Sequence, residues 1–237
     1  MAGAIEKIFS SMYHKIIAEK YYSRRFLDAL PILNYPNVKF FSNSTAFDPD
    51  SYKLLYTGGV STDRGALNLA RLVADFADIS VTTAGYCPSS MASRMRQEAH
   101  NNGSERLHII GENSYLPFNE IVSVYKKRCW LAGMALFPYT DHYKEKELTK
   151  FFEYMSVGLP IIATDFPVWR ELIEKQGVGL CVNPNDTSAV KEAIDCLRSH
   201  PDKAKEMSIK GKKLVENKYN WQNEAQKLMK FYANIQK

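Results

Sequence analysis

Several features that place a protein in a special class are scarce or missing in this sequence of 237 residues. No apolar run approaches the ~20 residues that a membrane-spanning helix requires. Charged residues interrupt the N-terminus, so it lacks the pattern of a signal peptide. The cysteines are widely spaced and include no C-x-x-C pair, which argues against a zinc site or a disulfide framework. We therefore expect a cytoplasmic protein whose four cysteines are free thiols: Cys87, Cys129, Cys181 and Cys196.

The net charge is mildly positive, at +5, and the sequence contains no long basic block. A nucleic-acid-binding protein would concentrate its basic residues in a stripe with interleaved aromatics, so we expect no nucleic-acid partner. A weak positive balance suits contact with phosphate groups, or peripheral contact with the anionic inner face of a membrane. The five histidines are scattered without the spacing of metal ligands, and we expect no metal site.

From Tyr52 onward, short apolar runs alternate with longer segments of helical period. This alternation predicts an α/β fold: a Rossmann-like parallel sheet with helices on both faces and further helices at each end of the chain. Such sheets bind ligands at the carboxyl ends of their strands. The predicted strands are Lys53 to Thr57, Ile79 to Thr83, Leu107 to Ile110, Met134 to Pro138, Pro160 to Thr164 and Gly179 to Val182. The predicted helices are Gly65 to Ala77, Ser89 to Asn101, Asn119 to Arg128, Leu148 to Val157, Pro167 to Gln176, Thr187 to Ser199, Pro201 to Asn217 and Asn220 to Asn234.

The first 27 residues follow a different pattern from the rest of the chain. Their apolar residues fall on one face of a helix, with lysines nearby, which predicts an amphipathic helix. Such a helix can pack on protein or on a membrane surface. We divide the chain into an N-terminal helical segment, residues 1–30, and one α/β domain, residues 31–237. The apolar face comprises Ile5, Ile8, Phe9, Met12, Tyr13, Ile16 and Ile17.

The first predicted strand leads into Gly58 and Gly59, and the next helix begins near Gly65, directly after Arg64. Glycine lets the backbone approach a ligand closely, and free N–H groups at a helix start favour an anion, to which Arg64 adds a charged donor. The same pattern also fits a plain strand-to-helix turn with a solvated arginine. The segment lacks the spacing of a dinucleotide fingerprint or of a P-loop.

A second segment with polar side chains follows the fourth predicted strand. Lys150 and Glu153 are three residues apart, so they share one face near the start of a helix. A carboxylate there can accept hydrogen bonds from ribose hydroxyls, and a lysine can meet phosphate as a point charge. An ordinary surface ion pair explains the same spacing.

The stretch from Lys150 to Glu171 closely resembles the donor-site signature of the group 1 glycosyltransferases, which are retaining enzymes of the GT-B kind. The run from Tyr56 to Gly65 looks like that family's phosphate loop. Gly179 to Asp186 and Tyr219 to Trp221 match its usual C-terminal pattern. Together the resemblance spans roughly residues 30 to 235 in one unbroken order.

The resemblance implies roles for individual residues. Glu153 aligns with the glutamate that binds the nucleotide ribose, and Glu145 stands at the spacing of the catalytic-site glutamate that meets sugar hydroxyls. Arg64 aligns with a basic residue that contacts the diphosphate. Gly59 takes the place of an arginine found in many members, and Lys150 can supply the missing charge. The backbone of the helix start would face sugar and phosphates beside Gly58: Glu147, Leu148 and Thr149.

The activity implied is that of a hexosyltransferase-type enzyme of glycan biosynthesis. It would move a sugar from a nucleoside diphosphate sugar to a glycan or lipid-linked acceptor, with retention of configuration and without a metal cofactor. This chain matches the half that binds the donor. An alternative is a non-catalytic nucleotide-sugar-binding or assembly subunit, with a partner chain supplying the acceptor domain. We interpret the one D-x-D pattern, Asp48 to Asp50, as a turn.

Overall fold

The computed structural model of the chain describes residues 13–41 and 44–235, with the backbone alone at Asn101 and Asn102. The main sheet has six parallel strands in the order β5-β4-β3-β6-β7-β8. Its strands are β3 (Lys53–Thr57), β4 (Ser80–Cys87), β5 (Leu107–Glu112), β6 (Ala132–Ala135), β7 (Ile161–Thr164) and β8 (Gly179–Val182). A separate pair consists of β1 (Ile16–Ile17) and β2 (Leu30–Pro31).

Helices follow the strands of the main sheet and pack around it, which confirms the predicted Rossmann-like α/β fold. They are α1 (Ala66–Asp75), α2 (Ser89–Glu98), α3 (His100–Gly103), α4 (Phe118–Tyr125), α5 (Thr149–Ser156), α6 (Pro167–Leu172), α7 (Thr187–Ser199), α8 (Pro201–Asn217) and α9 (Trp221–Ile235). No helix within the described ranges has both the length and the apolarity that a membrane span needs.

The central strands are largely apolar because both faces of the sheet are covered. Every residue of β6 and of β7 is buried, as the sequence predicts for inner parallel strands. Close packing explains why position 133 in β6 is a glycine: a β-carbon there would lie 2.6 Å from the ring of Tyr154 on α5. The sheet and α5 therefore approach each other closely at this point.

The sequence predicts the fourth strand of the main sheet at Met134 to Pro138, which is closer to the C-terminus than the strand that the structure shows. The observed strand β6 ends at Ala135, where its pairing with Ala163 of β7 ends. Beyond β6, the backbone carbonyls accept hydrogen bonds from side chains: Asn68 donates to the carbonyl of Leu136, and Thr164 donates to that of Phe137. The chain thus leaves the sheet early and is free to form the wall of a cavity.

The prediction of an N-terminal helix is wrong for residues 13–27, the part of that segment that the structure describes. Ile16 and Ile17 form strand β1, which pairs in parallel with β2, and a 3-10 helix follows at Lys20–Arg24. Long-range pairing decides the outcome, since the amide of Leu30 donates to Lys15 and that of Ile32 donates to Ile17. The rest of the predicted apolar face, Ile5 to Met12, lies outside the described residues. The division of the chain at residue 30 stays a prediction.

The final helix, α9, returns to the start of the domain. The amide of Trp221 donates to the carbonyl of Pro36, and the carboxylate of Glu224 accepts from the amide of Leu33 at 2.9 Å. Glu224 is fully buried and pairs with Lys227 at 2.6 Å. A buried charge with two partners ties α9 to the segment that leads into the sheet.

Candidate functional site

The strand order places a crevice between β3 and β6. From β3 the chain moves outward to β4 and β5, whereas from β6 it moves the opposite way to β7 and β8. Loops therefore diverge at the carboxyl ends of β3 and β6, the position where open parallel sheets bind ligands. A cavity of about 290 Å³ opens there, and the predicted residues that line it are Gly58, Arg64, Leu148, Thr149, Lys150 and Glu153.

The floor of the cavity depends on glycines in left-handed backbone conformations. Gly58, directly after β3, has φ +106°, and Gly65, directly before α1, has φ +81°. A β-carbon on Gly65 would lie 2.0 Å from the carbonyl oxygen of Leu136, so the turn packs directly on the exit of β6. Both conformations favour glycine, and at Gly65 the close packing also admits no side chain.

Lys150, on the first turn of α5, lines the cavity and holds its ammonium group against aromatic rings. Its Nζ lies 3.6 Å from the ring centre of Tyr56 and 5.0 Å from that of Phe137. The residue as a whole is half-buried, yet Nζ itself is buried and has no hydrogen-bond partner in the described part of the chain. Burial, and next the charge of Arg64, hold the pKa of Lys150 well below its usual value. A buried cation without a partner is costly and indicates a place for an anion.

Arg64 lines the same cavity and is held by Tyr143. Its Nε donates to the hydroxyl of Tyr143 at 3.2 Å, and that hydroxyl donates to Asp63 at 3.0 Å. The hydrogen bond with Tyr143 raises the pKa of Arg64 above its usual range. A β-carbon on Gly59 would lie 2.8 Å from Nη1 of Arg64. The absence of a side chain at Gly59 therefore gives the guanidinium its place.

Glu153 lies one turn after Lys150 and lines the same cavity, as the three-residue spacing predicts. The hydroxyl of Tyr125 donates to its Oε2 at 2.6 Å and also bonds to the hydroxyl of Thr57. Burial raises the pKa of Glu153, while the Tyr125 bond and the charge of Lys150 oppose this. Within the described residues, Oε1 of Glu153 makes no hydrogen bond, so this carboxylate retains an oxygen that can accept from a ligand.

Glu145 and Glu147 lie apart from this group. Glu145 accepts two hydrogen bonds from Nη1 of Arg24, at 2.9 and 3.0 Å, and Glu147 accepts one from Lys20 at 2.6 Å. Both glutamates line a second, smaller cavity of about 120 Å³, and Thr149 lines both cavities. The structure thus places these predicted residues beside the main cavity rather than in its wall.

The sequence did not single out several residues that build the main cavity. Phe118, Ile121 and Phe137 supply apolar wall, and Tyr143 and Tyr125 position Arg64 and Glu153. Apolar period alone marks them as core residues. Tyr143 carried one available signal, since it lies between β6 and Glu145 in a loop that follows a parallel strand.

The described residues contain no cluster of three or more acidic, histidine or cysteine side chains that could hold a metal ion. Asp48 accepts a hydrogen bond from the backbone of Asp50 at 3.1 Å, which is the geometry of an Asx turn. The D-x-D pattern therefore stabilises a turn within the chain.

A model of the family described as glycosyl transferases group 1 matches residues 37–214. No curated protein matches the chain. Among solved structures, a glycosyltransferase from Rickettsia africae superimposes with a TM-score of 0.74 at 17% identity, covering 94% of this chain and 64% of that one. Sucrose-phosphate synthase from Thermosynechococcus elongatus gives 0.72 at 20%, covering 93% and 57%.

Anabaena HepE in complex with UDP gives a TM-score of 0.73 at 12% identity, covering 92% of this chain and 63% of that one, and HepE has also been solved with UDP-glucose. At these identities the likeness concerns the fold. The chain spans 57–64% of the length of these three structures.

Proposed function

The chain belongs to the group 1 glycosyltransferases, and on that premise we propose that it binds a nucleoside diphosphate sugar and takes part in transferring the sugar to an acceptor. The observation that carries this proposal is the ammonium group of Lys150, which is buried at the switch point of the sheet against two aromatic rings and has no hydrogen-bond partner among the described residues. Arg64 lines the same cavity, so two cations share one opening. A diphosphate supplies the two adjacent negative charges that this pair requires.

Glu153 is our candidate for the ribose. It stands on the same helix as Lys150, three residues on, and Tyr125 fixes its carboxylate through one oxygen. A carboxylate that keeps a second acceptor beside a phosphate site suits the vicinal hydroxyls of a ribose. The apolar wall at Phe118 and Ile121 offers a surface for the rest of the nucleoside.

The sugar would extend from the diphosphate past Thr149 toward the second cavity, where Glu145 lies. In a transfer reaction the leaving group is the nucleoside diphosphate, so Lys150 and Arg64 would stabilise the charge that grows on it as the glycosidic bond breaks. We propose a hexosyl group as the sugar, retention at the anomeric carbon, and a glycan or lipid-linked acceptor. The acceptor would be bound chiefly by an additional domain or partner chain.

A second candidate function is a non-catalytic subunit that binds a nucleotide sugar and assembles with a partner chain. One observation favours it: Arg24 donates two hydrogen bonds to the carboxylate of Glu145, the residue proposed to bind the sugar. Product formation from UDP-glucose or GDP-mannose with a panel of lipid and glycan acceptors separates the two functions. Proton NMR of the first-formed anomer tests retention.

Calorimetric titration of UDP and GDP, with and without EDTA, tests donor binding directly. We expect one of the two to bind in EDTA, and Lys150→Met to weaken it. Lys191→Met is the matched control, because Lys191 also lies over an aromatic ring, that of Phe76 at 5.7 Å, but on α7. Binding that requires Mg²⁺ or Mn²⁺, or that survives Lys150→Met unchanged, contradicts the proposed diphosphate site.

A further inference from the structure

Residues 19–24, here called the strap, face the loop of residues 145–147 with alternating charges. Three consecutive loop residues each meet a strap residue of opposite sign. Arg24 pairs with Glu145 at 2.9 Å and Lys20 with Glu147 at 2.6 Å, while Lys146 lies 3.7 Å from Glu19. The strap is far from the loop in sequence, so these pairs are a product of the tertiary fold.

The strap and the loop differ in how firmly each is attached to the domain. The indole of Trp169, fully buried, donates to the carbonyl of Lys146 at 2.7 Å and fixes the loop backbone to the core. The strap instead follows the two-residue strand β1, and the 3-10 helix within the strap contains no buried residue. If one of the two moves, it is the strap.

The ion pairs themselves can be broken cheaply. The side chain of Arg24 is 79% exposed and that of Lys20 is 50% exposed, so water and salt screen both pairs. Glu19, Lys20 and Tyr21 of the strap nevertheless line the second cavity, and Thr149 lines both cavities. A ligand that extended from the main cavity past Thr149 into the second cavity would therefore approach the strap and the carboxylates of Glu145 and Glu147.

We propose that the strap is a latch that competes with the sugar of a bound nucleotide for Glu145. This inference rests on the proposed function. In the latched state the main cavity accepts a nucleoside diphosphate, while Arg24 holds Glu145. A sugar unit, which offers neutral hydroxyl donors to the same carboxylate, binds only when Arg24 releases it. Lys20 and Arg24 thus set the preference between a nucleotide sugar and its nucleoside diphosphate.

The test compares the ratio of two dissociation constants, that of UDP over that of UDP-glucose, and likewise GDP over GDP-mannose. The ratio cancels the shared contribution of the diphosphate and isolates the sugar. In Lys20→Ala/Arg24→Ala we expect the ratio to rise about 2- to 30-fold, from two exposed ion pairs. The control Lys175→Ala/Lys191→Ala removes the same charge from exposed pairs elsewhere in the domain and should leave the ratio unchanged.

Amide hydrogen exchange on the same proteins gives a second measurement that needs no ligand. The double strap variant should exchange faster than wild type at residues 19–24, with β3 to β8 unchanged, and the control should match wild type. A ratio that stays constant or falls, or an unchanged exchange rate in the strap, overturns the latch while nucleotide binding stands. If no nucleotide binds the wild type, the proposed function fails and the latch fails with it.

Discussion

Replacing Lys150 by methionine should stabilise the fold and weaken nucleotide binding at the same time. Methionine keeps most of the length of the side chain between Tyr56 and Phe137 but removes the buried ammonium group. The two effects have opposite signs because the charge is unfavourable in the empty cavity and favourable against a diphosphate. Few substitutions in a merely structural residue would separate stability from binding in this way.

The magnitude follows from three contributions. An unpaired ion costs several kcal/mol to bury. The contacts of Nζ with two rings recover about 2 kcal/mol, and a methionine sulfur near the same rings recovers roughly 1 kcal/mol. The free energy of unfolding should therefore rise by about 1–3 kcal/mol, which in a chain of this size corresponds to a Tm higher by roughly 3–10 °C.

The pH dependence of stability gives a sharper signature. Burial lowers the pKa of Lys150 below its ordinary value of 10.5, so the unfolded chain binds more protons than the folded one between the two values. The free energy of unfolding should rise with pH across that window. Thermal melts from pH 7 to 10 should show this rise in wild type, and the contribution of Lys150 should disappear in Lys150→Met.

The affinity of Lys150→Met for the nucleotide should fall, although the stability of its fold rises. Loss of a charge-assisted contact costs about 1.5–3 kcal/mol, or roughly 10- to 150-fold in the dissociation constant of UDP or GDP by calorimetry. A variant that melts lower than wild type and binds with unchanged affinity would show that Lys150 is a packing residue. The diphosphate assignment would then have to be abandoned.

Three further substitutions probe the site and its supports. Glu153→Ala should weaken UDP or GDP binding by about 1.5–3 kcal/mol in calorimetry with the fold intact, and an unchanged affinity would remove Glu153 from the ribose site. Glu224→Ala leaves the amide of Leu33 without its acceptor and should lower the free energy of unfolding in urea by about 1–3 kcal/mol; no loss would mean that α9 is held by its apolar face alone. Gly65→Ala places a β-carbon against Leu136 in a left-handed conformation and should cost at least ~1 kcal/mol in the same assay, and a neutral result would show that this turn relaxes easily.

Sequence reasoning succeeded where the information was local. The alternation from Tyr52 onward located the six main strands, and the spacing of Lys150 and Glu153 placed both on the cavity side of α5. The periodicity of apolar residues describes one helix or strand at a time. The position of a strand and the face that two residues share on a helix are both properties of a single element. The family resemblance singled out the run from Tyr56 to Gly65, and the structure places Gly58 and Arg64 of that run in the cavity lining, while the role of the run as a phosphate loop stays a prediction.

What could not be predicted depends on contacts between distant segments. The burial of the Lys150 ammonium group comes from Tyr56 on β3 and from Phe137 in the segment after β6, both distant from Lys150 in sequence. The apolar spacing at Ile16 fits a helix, yet pairing with β2 produces a strand. The partner of Glu145 is Arg24, 121 residues earlier, and no spacing rule connects them.

The close approach of Gly59 and Arg64 has a consequence for how this site can change over generations. A side chain at position 59 would require the guanidinium of Arg64 to move, because its β-carbon would lie 2.8 Å from Nη1. The charge of Arg64 in turn acts on Lys150. We therefore expect positions 59, 64 and 150 to be epistatic: the effect of a substitution at one depends on the residues at the other two. Homologues should be compared at these three positions as whole triplets, since the columns of an alignment taken singly would misstate which of them retain the diphosphate site proposed here.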